Sequence, residues 1–257
     1  MNRLNSVNDY LQTKLARKSK LSEFFDDAAV VWYASSAFVE WYDPELVRDI
    51  LIILPDERFE SFKTNFGPNY VVDDHNVVPP VFVRFKSYKW LQRDFARRLP
   101  VALWIYQHAK VLRDPQGKFA DILRSQSEVF KKQLPSILRR KYIEFRTDRH
   151  NLRHTIPSRM DLATRLIKAS VVKLALELTL LAEGQPYPYK KWLFWATERE
   201  ATQGQEVVSL VTRFWDETDN DRVITLSDQL VAKVASICAQ SGLVSEGVTT
   251  KWWLHLD

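Results

Sequence analysis

The segment Ala29–Leu54, AVVWYASSAFVEWYDPELVRDILIIL, decides how the rest of the chain is read. It opens with an apolar strand through Tyr33, turns through the small residues Ala34, Ser35 and Ser36, passes the acids Glu40, Asp43 and Glu45, and enters a second apolar strand carrying Asp49. Serines in a turn between strands offer hydroxyl and backbone hydrogen bonds to a phosphate. A carboxylate on the following strand offers a ligand to a hard cation. Side chains two apart on a strand share a face, so carboxylates at i and i+2 reach the same ions. Here Asp49 is followed by Ile50 and Leu51, and Ala34 stands where a glycine would let the backbone come closer to phosphate.

Beyond Leu54, a helical stretch begins near Pro55 and ends before Gly67, and Val77-Val78-Pro79-Pro80 breaks the chain before a third strand, Val81–Phe85. With strands at Ala29–Tyr33 and Arg48–Leu54, this is β-α-β order, preceded by a helical start on Leu11, Leu15, Leu21 and Phe24. From Pro100 onward the periodicity is helical. Pro115 and Gly117 mark a turn before a helix near Lys118. Asp161–Glu183 carries Leu162, Leu166, Ala169, Val172, Leu176 and Leu180 on one stripe with a second apolar stripe beside it, the pattern of a helix interior to a bundle. Gly184, Pro186 and Pro188 end it, and helices follow at Trp192, Glu206–Asp216 and Leu226–Gln240. The expected fold class is α+β/α: a small mixed-sheet domain over residues 1–98, then an α-helical bundle over 99–257.

Composition narrows the function. A chain of 257 residues, 46% hydrophobic and 27% charged, has enough apolar material for one or two cores. The N-terminal MNRLNSVNDYLQ has no apolar h-region, and the run Ala28–Val39 is well short of the ~20 residues of a membrane helix. The single cysteine, Cys238, makes neither an internal disulfide nor a cysteine-based zinc site. A cytoplasmic protein is expected. None of the six glycines precedes Gly67, which excludes a dinucleotide-binding Gly-x-Gly-x-x-Gly turn in the first third, and no Gly-Lys-Ser or Gly-Lys-Thr loop occurs. Charge divides the chain: Leu21–Pro79 is acidic, and Lys86–Arg153 carries 17 lysines and arginines against few acids. That is the distribution of a cleft for a polyanion, unless the cations are simply solvated helix faces.

Two motifs carry a family resemblance. Leu99–Tyr106, followed by Lys110-Val111-Leu112-Arg113-Asp114-Pro115-Gln116-Gly117-Lys118, and, after a long helix, Gly184-Gln185-Pro186-Tyr187-Pro188-Tyr189-Lys190-Lys191-Trp192-Leu193, resemble bacterial nucleotidyltransferase-fold proteins. Those proteins join a small catalytic domain to a helical domain like that of kanamycin-type nucleotidyltransferases. The resemblance extends to about Ala201. It implies transfer of a nucleoside monophosphate to a hydroxyl with two Mg²⁺ ions. It puts Ser35 at the phosphate-contacting serine and Asp49 at the first metal-binding aspartate. Leu51 falls at the second carboxylate and Arg84, or an apolar neighbour, at the third, which makes the catalytic motif degenerate. Loss of a ligand to leucine removes several kcal/mol of transition-state stabilisation. Glu40, Asp43 and Glu45 of the intervening loop are candidates for a substitute ligand, though loop acids are ordinarily solvated.

The implied ligand is a nucleotide or another phosphorylated small molecule, held in an interdomain cleft by Ser35, Ser36, Asp49, Arg84, Lys190 and Lys191, with Mg²⁺ on Asp49. The alternative is a catalytically degenerate binding or regulatory protein acting on RNA or a partner protein. Arg149 and His154 resemble the Arg-x₄₋₆-His motif of helical ribonuclease domains, but a basic exposed face explains them as well. Asp73-Asp74-His75 reads as a polar turn, and the tryptophans as packing.

Overall fold

The computed structural model describes residues 2–3, 7–15, 19–34, 37 and 46–256. Ser35, Ser36 and the acids Glu40, Asp43 and Glu45 lie outside the described residues. The chain divides into two compact units, Met1–Glu128 and Val129–Asp257, the division falling within the sequence of one long helix. The sequence alone suggested a division at 98/99.

In the first unit β1 is Asn2–Arg3, β2 Ala29–Trp32, β3 Arg48–Leu54, β4 Val71–Asp74, β5 Val77–Val78, β6 Val81–Ser87 and β7 Lys110–Arg113. Five strands make a mixed sheet in the order β4-β6-β3-β2-β7, and β1 pairs with β5 in a separate two-stranded ribbon. Strands β3 and β6 are parallel, joined by helix α3 (Asp56–Phe66), as the β-α-β reading expects. Short helices α1 (Val7–Tyr10) and α2 (Ser19–Ser22) flank a π-helical turn, Leu11–Leu15, in place of one regular helical start. Strand β7 is the element that helical periodicity past Pro100 does not reveal. It pairs antiparallel with β2, so the chain belongs to the sheet through Arg113 and the first unit extends well beyond residue 98.

Alternation gives the sheet two faces. Ile50, Ile52 and Leu54 point with Val30, Val83 and Phe85 into a core closed by Phe62 of α3. There Phe62 stacks on Phe85, with centroids 4.6 Å apart, and meets Phe24 edge-on at 5.4 Å. The opposite face carries Asp49, Leu51 and Ile53 and packs against α4 (Tyr88–Gln107). Two carboxyl and hydroxyl caps start α4: Ser87 Oγ accepts from Trp90 N at 3.1 Å, and Asp56 Oδ1 accepts from Lys89 N at 2.9 Å.

Helix α5 (Lys118–Thr155) begins at the Asp-Pro-x-Gly turn, whose residues have a local reason to be there. Asp114 accepts from Phe119 N at 3.3 Å and Ala120 N at 3.0 Å, filling orphan donors of the first turn, and Gly117 takes φ 66°. In the second unit α6 (Asp161–Ala182) ends in a Schellman motif: Gly184, at φ 77°, donates to Leu181 O and Gln185 to Leu180 O, both at 3.0 Å. Helices α7 (Leu193–Glu200), α8 (Gly204–Asp216), α9 (Asn220–Gln240) and α10 (Glu246–Thr250) complete the bundle. Only the second half of α6 is interior, with Val171, Leu174, Leu178 and Leu181 buried. Its first half leaves Leu162 and Leu166 81% and 74% exposed, contrary to the reading of an interior helix along its whole length. No helix among the described residues is long and apolar enough to cross a membrane.

Candidate functional site

The register of the sheet assembles the site on the face that bears Asp49. Asp49 pairs with Phe82, and Leu51 with Val31 on one side and Arg84 on the other, so these side chains share that face. Asp49 is half-buried, and its carbonyl accepts from Tyr33 N at 3.0 Å, fixing the chain just before the serine turn to the start of β3. Arg48 precedes Asp49 and points to the other face, with its guanidinium 5.1 Å from the Trp32 ring centroid. Arg84 is exposed, stacks over Phe82 at 5.0 Å and has no ion-pair partner among the described residues.

Helix α4 adds the rest. Pro100 cannot donate a helical hydrogen bond, and the helix is kinked at Arg98, where φ is −150° and ψ 49°. Asp94 ties the two halves together. It accepts two bonds from Arg98, Nε to Oδ1 at 2.7 Å and Nη2 to Oδ2 at 2.8 Å, and a third from the Tyr106 hydroxyl at 3.1 Å. The Tyr106 ring stacks on Tyr33 with centroids 6.2 Å apart.

Tyr33 therefore stands in the common field of four charges. Burial pushes its phenol up to about 12; Arg84 and Arg98 draw it down while Asp49 and Asp94 push it up. Tyr106 is raised as well, chiefly by burial and then by Asp94. The Lys86 amine, on the same face, is lowered by burial and by Arg84. The cluster thus sets two exposed guanidinia, Arg84 and the Asp94-bound Arg98, beside the buried Tyr33 and Tyr106 and the half-buried Asp49 and Asp94.

Among the described residues, no three histidine, cysteine or acidic side chains are placed to hold a metal ion. Leu51 is fully buried and pairs with Arg84 in the register, so the position two beyond Asp49 supplies neither a carboxylate nor an open metal pocket. These residues do not fit the two-ion arrangement that the resemblance implies.

Of the predicted site residues, Asp49 and Arg84 come together. Lys190 and Lys191 lie in a 3₁₀ turn of the second unit, where the Lys191 amine sits 5.1 Å from the Trp192 ring centroid. Tyr33, Asp94, Arg98 and Tyr106 are the residues that sequence reading missed. The signal was the Asp94/Arg98 spacing of four just before Pro100, which a count of basic residues absorbs into the cationic run.

Much of that run is paired internally. Lys141 donates to the buried Glu177 at 2.6 Å, and Arg153 pairs with Asp228 at 2.7 Å alongside Arg149, which contacts the same carboxylate. His150 and His154 approach each other at 3.2 Å on the exposed side of α5, and the structural partner of Arg149 is Asp228 rather than His154. Asp73 and Asp74 belong to strand β4 rather than to the polar turn expected, with His75 pairing with Asp73 at 3.0 Å, and Cys238 is buried, its thiol pushed up to about 12 by burial.

No protein-family model matches the chain, and no curated protein matches it. Among solved structures, the chain is similar to a nucleotidyltransferase-like protein from Exiguobacterium sibiricum 255-15, at 10% identity over 90% of this chain and 77% of that one, with a TM-score of 0.49.

Proposed function

We propose that the first unit is a nucleotidyltransferase-superfamily domain that binds the phosphate groups of a nucleotide or other phosphorylated small molecule on the sheet face bearing Asp49 and Arg84. The observation carrying this reading is Arg84: an exposed guanidinium with no ion-pair partner among the described residues, set on the same face as Asp49 and close enough to Tyr33 to shift its phenol. Guanidinium is the side chain best matched to phosphate, with a planar fork of donors. The serine turn, Ser35 and Ser36, begins two residues after Tyr33 and would add hydroxyl donors. Binding rather than transfer is the function taken here, because Asp49 has no second carboxylate two residues on, where Leu51 stands. Lys190 and Lys191 belong to the second unit and are not needed for it.

Calorimetric titration with ATP, GTP, CTP, UTP and inorganic pyrophosphate, each with and without Mg²⁺, tests the proposal. Saturable binding of at least one of them without Mg²⁺ is expected, and absence of binding to all of them removes it. An RNA-binding protein, the competing reading from the basic run, would instead bind single-stranded RNA with affinity falling steeply with salt.

A further inference from the structure

His150 and His154 stand one turn apart near the C-terminal end of α5, and both are exposed. Residues four apart on a helix share a face, so the two imidazoles meet there. Their Nε2 atoms approach to 3.2 Å while the ring centroids lie 4.8 Å apart, at an interplanar angle of 64°. Each ring therefore turns its Nε2 toward the other. No third histidine, cysteine or carboxylate among the described residues joins them in a metal-holding group. The surroundings are basic. Arg149 and Arg153 are held by Asp228. Arg146 donates to the Tyr142 hydroxyl at 3.0 Å and to the Thr249 carbonyl at 3.2 Å, with its guanidinium 5.6 Å from the Trp252 ring centroid. The same indole ring lies 6.2 Å from that of His150.

We propose that His150 and His154 form a two-nitrogen site for a late first-row divalent metal ion, Cu²⁺ or Zn²⁺, with water or an exogenous ligand in the remaining positions. Spacing carries the proposal. An ion about 2.0–2.1 Å from each of two nitrogens 3.2 Å apart sees them at an angle of about 100–106°, between square and tetrahedral coordination. Without an ion the same spacing is met by one ring donating its Nε2 proton to the other, and the ion takes the place of that proton. Ligand chemistry selects the class of metal. Imidazole nitrogen suits copper, zinc and nickel, whereas Mg²⁺ and Ca²⁺ take oxygen ligands. The basic neighbours act in the same direction, since they repel an ion held by charge alone and leave coordination as the source of affinity. His154 also lies in the last turn of α5, where the helix dipole favours added positive charge.

The test titrates the full chain with Cu²⁺ and with Zn²⁺ and compares it with His150→Gln, His154→Gln and, as a control, His75→Gln. Saturable binding of one equivalent is expected, tighter for Cu²⁺ than for Zn²⁺, with the electron paramagnetic resonance spectrum of bound Cu²⁺ showing two coordinated nitrogens. Either substitution in the pair should weaken binding about tenfold or more, while His75→Gln binds as the wild type does. Zn²⁺ should also raise the melting temperature of the wild type more than that of the His150 and His154 variants, because only the folded helix holds both rings at this spacing. All three histidines are exposed, so the variants should fold, and the wild-type copper spectrum decides the matter even where one does not. Wild-type affinity no greater than that of the two variants overturns the proposal and leaves a simple hydrogen bond between the rings. A copper spectrum with a single coordinated nitrogen, or binding that His75→Gln removes, overturns it in favour of an adventitious ion only.

Discussion

At the scale of single residues, Leu51 and Tyr33 carry the consequences of the site. Leu51 is fully buried between Val31 and Arg84, so Leu51→Asp puts a carboxylate where no metal pocket waits for it. Folding should lose about 3 kcal/mol or more, with no Mg²⁺ affinity gained. Urea unfolding and Mg²⁺ calorimetry check this, and a stable variant that binds Mg²⁺ would instead reveal a vacated metal site. Tyr33 responds to alkali. Its phenol is raised to about 12 in the folded chain, chiefly by burial, against about 10 unfolded. The folded state holds the proton more tightly, so this contribution is fully present below pH 10 and is lost as pH rises towards 12. The loss is roughly 2–3 kcal/mol. Tyr33→Phe should remove that part of the alkaline fall in stability, leaving a remainder from the other tyrosines that burial raises, Tyr10, Tyr88, Tyr106, Tyr142 and Tyr187. An identical fall in the variant would mean that the Tyr33 hydroxyl is already solvated.

At the scale of elements, two contacts fix the helical unit. A Cβ on Gly204 would overlap the Thr197 carbonyl oxygen, so α8 starts against α7 only because position 204 has no side chain. Gly204→Ala should destabilise by about 1–3 kcal/mol, read as a lower melting temperature, and an unchanged one would show that the α7–α8 junction yields easily. Glu177 is buried on α6 and shared by Lys141 and Lys173. Removing it leaves the largely buried Lys141 amine unpaired, so Glu177→Ala should cost about 3–5 kcal/mol and the half-exposed Lys173→Ala much less. Equal losses would place the stabilisation elsewhere than in Lys141. Elements of this kind were legible to different degrees. The strands β2, β3 and β6 and helix α3 were readable because alternation and the Pro55 and Gly67 boundaries are local signals. Strand β7 was not, because Lys110–Arg113 is four residues long and its strand character comes from pairing with β2. The π-helical turn at Leu11–Leu15 keeps the apolar spacing of an ordinary helix, so the sequence does not distinguish the two.

At the scale of the whole molecule, the chain combines a mixed-sheet unit and a helical unit, and the sequence showed the motif of the site more readily than its membership. Asp49 and Arg84 were readable because strand periodicity places them. Asp94, Arg98 and Tyr106 join them through a kinked helix, a tertiary arrangement without a periodic trace. The acidic and basic halves of the sequence suggested a polyanion cleft, yet Lys141, Arg149 and Arg153 spend their charge on partners within the helical unit. The central claim is that Arg84, rather than a metal on Asp49, attracts the phosphate. The most direct measurement is the Kd of a nucleoside triphosphate without Mg²⁺, compared among the wild type, Arg84→Gln and Asp49→Asn. Removing the guanidinium should weaken binding about tenfold, and removing the nearby negative charge at Asp49 should tighten it. An Arg84→Gln variant that binds as the wild type does, or binding that requires Mg²⁺ and disappears in Asp49→Asn, would contradict it.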